Sequence, residues 1–169
     1  VSLVEAKAYL RIGHDGEDDL VTSLAQSARA RLEQAAGLAL VTRTLSKSVR
    51  VWPQGIRVRG ITMRPGPVQR LVSVTLVAAD GSQEDLSDNF QLEAGRICLK
   101  ATRFLPIITP GGHIKITFEA GYGAAGDVPE DLQLAVKLLI ADAYRRRESD
   151  GSLAQGVSDI LTARREVRL

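Results

Sequence analysis

Two histidines, one cysteine and a glycine-rich turn are the features on which chemistry could be built in this 169-residue sequence. A catalytic centre needs a nucleophile, a base and a group that orients it, or a set of metal ligands. His14 and His113 lie in unrelated segments. Neither stands in an H-x-x-x-H, H-E-x-x-H or C-x-x-C context. His14 follows a glycine at a helix end and reads as a loop residue; His113 opens a strand after Gly111-Gly112. Cys98, between Ile97 and Leu99, reads as a small core side chain. No G-x-S-x-G elbow is present. Gly121-Tyr122-Gly123 and Gly126 precede a helix start, where a phosphate could sit on free N–H groups. The lysine of a phosphate loop is missing, and Asp127, Glu130 and Asp131 would repel an anion there. That stretch therefore reads as a strand-to-helix turn. No catalytic, cofactor-binding or metal-ligating set is expected, which disfavours a small hydrolase.

Charge is the more informative chemistry. The net charge of +2 hides a segregation. Residues 41–79 hold Arg43, Lys47, Arg50, Arg57, Arg59, Arg64 and Arg70 and no acid. Residues 80–100 hold Asp80, Glu84, Asp85, Asp88 and Glu93 against Arg96 and Lys100. Adjacent blocks of opposite sign can pair within a chain or between copies, or simply be solvated strand faces. The basic stretch also admits a nucleic-acid-binding module, gripping phosphates without reading bases. Arg145-Arg146-Arg147 suits the negative end of a helix. Consecutive arginines project about 100° apart, so they cannot all address one surface. The tail from Arg164 to Leu169 is basic and apolar, and such a tip can dock into a partner's groove.

The elements that must position these groups are legible in outline. Ser2-Leu3-Val4-Glu5 has the form of a capping box and opens a short helix to about Arg11, ended by Gly13. Asp15 or Gly16 opens a second, whose stripe Leu20, Leu24, Ala28, Leu32 and Ala35 runs to a stop at Gly37. Strands are expected over 42–52, 56–63, 68–79, near 90–92 and 96–99, and over 113–119, where Ile114, Ile116 and Phe118 alternate. Pro129 then starts a long helix with stripe Leu132, Val136, Leu139, Ile140 and Ala143. Ser152 can cap a last helix lined by Leu153, Val157, Ile160 and Leu161. The pattern predicts an α+β fold: a small helical bundle of N- and C-terminal helices with an inserted antiparallel β-region. One domain over 1–169 is expected, with helices in 2–37 and 129–166 and the β-region in 42–121.

Composition is that of an ordinary globular chain, 44% hydrophobic and 25% charged, with a core of Leu, Val, Ile and Ala. A lone cysteine allows no internal disulfide and fits a reducing compartment. No apolar run reaches the roughly 20 residues of a membrane helix, and VSLVEAKAYL lacks the build of a secretory signal.

In order and spacing, the segments together resemble a known family. SLVEAKAYLRI and EDDLVTSLAQSARARLEQAAGLAL resemble the N-terminal helical pair of the head–tail connector (adaptor, or head-completion) proteins of tailed phages and gene transfer agents. VWPQGIRV and MRPGPVQRLVSVTLVAADG are similar to their β-region, AGYG with VPEDLQLAVKLLIADAYRRRES to their long helix, and VSDILTARREV to their closing helix. Arg70 departs from the apolar or small residue expected ahead of the Ser-Val strand. The resemblance covers nearly the whole chain. It implies a non-enzymatic structural protein in the particle neck, assembled in the bacterial cytoplasm, with no cofactor and no membrane. It implies a ring of copies, typically dodecameric, between the portal and the stopper or tail proteins, with DNA passing through the channel without sequence specificity. By chain position, Ile160, Leu161, Arg164, Arg165, Val167, Arg168 and Leu169 would dock on the portal. Arg43, Lys47, Arg50, Arg57, Arg59, Arg64 and Arg70, with Glu84, Asp85 and Asp88, would pair between copies or line the channel.

Overall fold

The computed structural model describes residues 1–145 and 155–166, without the side chains of residues 155, 165 and 166. The chain divides into two compact units, a helical one of Val1–Leu40 with Gly123–Leu169 and a β-rich one of Val41–Tyr122. The α+β expectation holds: terminal helices flank an antiparallel β-region.

In the helical unit, α1 (Leu3–Leu10) starts as its capping box predicts. The Ser2 hydroxyl accepts from the Glu5 N–H at 3.2 Å, and the Glu5 carboxylate accepts from the Ser2 N–H at 2.7 Å. These bonds hold the Glu5 carboxyl below its usual range. Arg11, not Gly13, ends the helix, taking the left-handed conformation at φ 60°. α2 (Asp18–Ala36) stops at Gly37, whose φ of 63° lets its N–H and the next one cap the last carbonyls. Its buried face differs by one position from the expected stripe. Val21, Ala28 and Leu32 are buried, whereas Leu20 is 49% exposed.

Glu130–Arg145 forms α3, with Glu130 and Asp131 in its first turn. Leu132, Ala135, Val136, Leu139 and Ile140 are its buried face, and α1, α2 and α4 (Gln155–Glu166) all pack against α3. Burying a side chain of the Leu or Ile class contributes about 1.5–3 kcal/mol, so this face is a principal part of the unit's core, together with Val21, Leu32, Leu38 and Leu40. Among the described side chains of α4, Val157 and Leu161 are buried. Arg146, Arg147, Ser152 and Leu153 lie outside the described residues.

The β-rich unit holds two antiparallel sheets. The larger contains β1 (Arg43–Val49), β3 (Val68–Val77), β4 (Gln83–Asp85) and β7 (His113–Ala120) in the order β1-β7-β3-β4. The smaller contains β2 (Ile61–Thr62), β5 (Phe90–Glu93) and β6 (Arg96–Leu99) in the order β2-β6-β5. β7 is central and alternates as expected: Ile114, Ile116, Phe118 and Ala120 are buried. Val68 and Val74 are buried beside Ala120 and Ile116. Trp52 stacks on Phe90 with centroids 5.7 Å apart and donates its indole N–H to the Pro106 carbonyl at 2.8 Å. That bond ties the loop before β7 to the segment after β1.

Two strand expectations change. The alternation over 56–63 is mostly turns, and only Ile61–Thr62 is a strand. Gly55 and Gly60 take φ of 87° and 65°, and the N–H groups of Val58 and Arg59 close onto the Gly55 carbonyl. A local turn thus outcompetes the ladder, and Val58 stays 85% exposed. β4 is a polar three-residue strand that hydrophobic patterning does not reveal.

Candidate functional site

The residues with catalytic potential are not assembled into a site. His14 is an exposed loop residue of the helical unit, and His113 begins β7 of the other. Cys98 is half-buried against Gly60, and burial pushes its thiol pKa up, away from the reactive thiolate. Among the described residues no cluster of three or more His, Cys, Asp or Glu is placed to hold a metal ion. The β-rich unit carries a groove of about 400 Å³ beside Arg70, Val72 and Phe90 and another of about 300 Å³ beside Lys47, Met63 and Arg96. Neither is lined by a histidine, cysteine or carboxylate.

The turn before α3 is built by close approach rather than for a ligand. Gly121, at φ 140°, lies so near the backbone of Val41 and Thr42 that a Cβ would overlap them. The Asp127 carboxylate accepts from the Ala124 N–H at 2.8 Å, filling the space beside Gly123.

The charged residues are sorted by the strand order. β1 and β4 are the two edges of the four-stranded sheet. The β1 edge with its flank, residues 43–50, carries Arg43, Lys47 and Arg50 and no acid. The β4 edge with its flanks, residues 80–88, carries Asp80, Glu84, Asp85 and Asp88 and no base. The basic and acidic blocks of the sequence therefore mark opposite edges of one sheet, about three strand spacings of 4.8 Å apart. Lys47 lies opposite Ile116, and Glu84 lies opposite Leu76, itself opposite Ile114. Directly opposed residues share a face, so Lys47 and Glu84 occupy the same, core-side face at the two edges.

The acids of the β4 edge are not equivalent. Asp80 accepts from the Ser82 hydroxyl and N–H, and Asp85 from the Ser87 hydroxyl and N–H. These bonds hold both carboxyls below their usual range and keep them ionised. Lys47, Arg50, Glu84 and Asp88 are exposed, and none has a side-chain partner among the described residues.

Arg70 is different. It faces Glu119 across the β3–β7 ladder and donates to it twice, from Nε at 3.1 Å and from Nη2 at 2.6 Å. The hydrogen-bonded Glu119 carboxylate raises the pKa of Arg70, and the guanidinium lowers that of Glu119. Its place ahead of the Ser-Val strand, unexpected from the resemblance, is thereby explained. Arg57 and Arg59 sit exposed in the turns after Gly55, and Arg64 is exposed before Pro65.

At the C-terminal end, Leu161 is buried and Ile160 half-buried on α4. Arg164 pairs with Asp131 on α3, its Nη2 at 2.6 Å from Oδ1 and its Nε on Oδ2. The side chain of Arg165 and all of Val167, Arg168 and Leu169 lie outside the described residues.

No protein-family model matches this sequence, and no curated protein matches it. Solved structures do. A chain of the virion of a native gene transfer agent (GTA) particle is 29% identical with a TM-score of 0.81, over 96% of this chain and 88% of that one. A chain in the neck of an empty GTA particle, computed with C6 symmetry, is 28% identical with a TM-score of 0.79 over the same shares. One in the neck of a native GTA particle, computed with C12 symmetry, is 27% identical with a TM-score of 0.75, over 93% of this chain and 86% of that one. This likeness supports a head–tail connector, a protein of the particle neck. Such connectors are structural proteins of the neck and not enzymes, and the likeness favours that role over a free nucleic-acid-binding module. No helix among the described residues is long and apolar enough to cross a membrane.

Proposed function

We propose that this connector assembles, in the bacterial cytoplasm, into a ring between the portal and the stopper or tail proteins. The ring extends the channel through which DNA passes without sequence specificity. The observation that carries this reading is the likeness to GTA neck chains along 93–96% of the sequence, both units included. A neck computed with C12 symmetry supports a dodecameric ring. The C-terminal segment, from Ile160 and Leu161 through Arg164 and Arg165 to Val167, Arg168 and Leu169, docks on the portal. Val157 and Leu161 anchor α4 within its own unit, and the basic, apolar sequence beyond Arg164 carries the chemistry that a partner's groove would take.

The test is cryo-electron microscopy and co-sedimentation of the full chain with portal-bearing heads. A ring at the portal vertex is the expected result. Removing residues 165–169 spares the Arg164–Asp131 pair and is expected to abolish portal association with the fold intact. Undiminished co-sedimentation of that truncation would overturn the docking assignment.

A further inference from the structure

We propose that copies of this chain join head to tail through the two edges of the four-stranded sheet, the β1 edge of one copy lying along the β4 edge of the next. Lys47 and Arg50 of one copy then face Glu84 and Asp88 of its neighbour. The contact rests on the ring reading and names the surfaces that make the ring.

Three observations converge on it. The first is topology: among the described residues β1 pairs only with β7 and β4 only with β3, so each leaves one row of backbone groups outside the ladder. The second is sign. One edge is wholly basic over 43–50 and the other wholly acidic over 80–88. Like edges repel, which suppresses the two-fold contacts β1 on β1 and β4 on β4. Unlike edges attract, and a contact between two different patches is heterologous, the kind that propagates into rings when its rotation closes. The third is facing. Lys47 and Glu84 sit on the same face of the sheet at its opposite edges. When one edge continues another with that face kept on the same side, the ammonium and the carboxylate meet. Charge on an edge strand also blocks pairing with the wrong edge, so the same residues exclude one contact and select the other.

Arg70 and Asp85 are not needed for the contact. Glu119 holds the first, and Ser87 the second. The groups left over, Lys47, Arg50, Glu84 and Asp88, are of matching number and opposite sign.

The experiment uses two full-length variants, each with one edge reversed: Lys47→Glu with Arg50→Glu, and Glu84→Lys with Asp88→Lys. All four side chains are exposed, so both variants are expected to keep the wild-type circular dichroism and melting curve. Self-association is read by sedimentation velocity at low salt, and ring formation by microscopy on portal-bearing heads. Each variant alone has two like-charged edges and is expected to associate about tenfold or more weakly than wild type. An equimolar mixture restores complementarity at every contact, because the acidic β1 edge of one variant meets the basic β4 edge of the other. Recovery of rings with alternating variants is expected. Wild-type rings that tolerate either reversal, or a mixture that fails to recover, would overturn the edge contact while leaving the ring reading in place. A wild-type chain that forms no ring on heads would overturn both. Charges that only line a DNA channel would show no rescue by mixing.

Discussion

Arg164, on the final helix, grips both carboxylate oxygens of Asp131, in the first turn of α3. The carboxylate already sits where the α3 dipole favours negative charge. Val157 and Leu161 are buried on the same helix, and the pair adds a polar attachment of α4 within the helical unit. Both partners are partly exposed, so the pair is worth about 0.5–1 kcal/mol. Arg164→Ala is expected to raise hydrogen exchange across residues 157–163 while the amides of α2 stay protected. Arg164→Lys should recover only part of the protection, because an ammonium cannot reproduce the planar fork. Equal exchange in wild type and Arg164→Ala would show that packing alone holds α4.

The same pair sets a pH dependence. The Arg164 guanidinium holds the Asp131 carboxyl below its ordinary value of 3.8. A carboxyl whose pKa is lowered by folding contributes stability above the unfolded value, and loses it as pH falls through the folded one. Protection of α4 is therefore expected to be flat between pH 7 and 5. It should fall only below about pH 4, near the ordinary range of a carboxylate. Asp131→Asn should flatten that acid-side loss, and protection that already falls between pH 7 and 5 would contradict the assignment to Asp131.

What was legible in the sequence is what local physics decides. The Ser2 box, the Gly37 stop, the α3 stripe and the Ile114–Ile116–Phe118 alternation each need only a few neighbouring residues, and each stands as expected. Ile56 and Val58 alternate just as well, yet the positive φ of Gly55 and Gly60 turns that segment before it can pair. The apolar stripe of α2 holds at Ala28 and Leu32 and departs only at its start, where Val21 is buried in place of Leu20, a choice that tertiary packing makes. Arg70 and Glu119 are 49 residues apart, and only the β3–β7 register joins them. The charge blocks were visible as runs, but their place at opposite edges depends on β7 inserting between β1 and β3, a long-range pairing that composition cannot show.

The glycines before α3 make unequal predictions. A Cβ on Gly121 would collide with the backbone of Thr42 at a φ that L-residues avoid, whereas a Cβ on Gly126 would meet nothing. Gly121→Ala must move backbone and is expected to cost about 2–4 kcal/mol, since strain and overpacking act together. Gly126→Ala should be neutral or stabilising by up to about 1 kcal/mol through the unfolded chain. Urea denaturation followed by Trp52 fluorescence reads the first, because Trp52 lies in the β-rich unit with Gly121, and helical circular dichroism reads the second, because Gly126 lies in the helical unit. Equal midpoints for the two variants would contradict the close approach at Thr42.

Phe118 and Phe104 are the same side chain in opposite environments. Phe118 is 1% exposed on the inner strand β7, opposite Leu45 on one side and Leu71 on the other. Phe104 is 83% exposed in the loop before β7. Truncating the first removes apolar burial and leaves a cavity that the surrounding strands cannot close, so Phe118→Ala is expected to cost about 3–5 kcal/mol. Phe104→Ala removes a side chain that buries little in the isolated chain, and its midpoint should stay within about 0.5 kcal/mol of wild type. The same variant carried onto portal-bearing heads then becomes diagnostic. If Phe104 is covered when the ring forms, truncation weakens assembly without touching stability, a separation that a merely solvated phenylalanine would not produce.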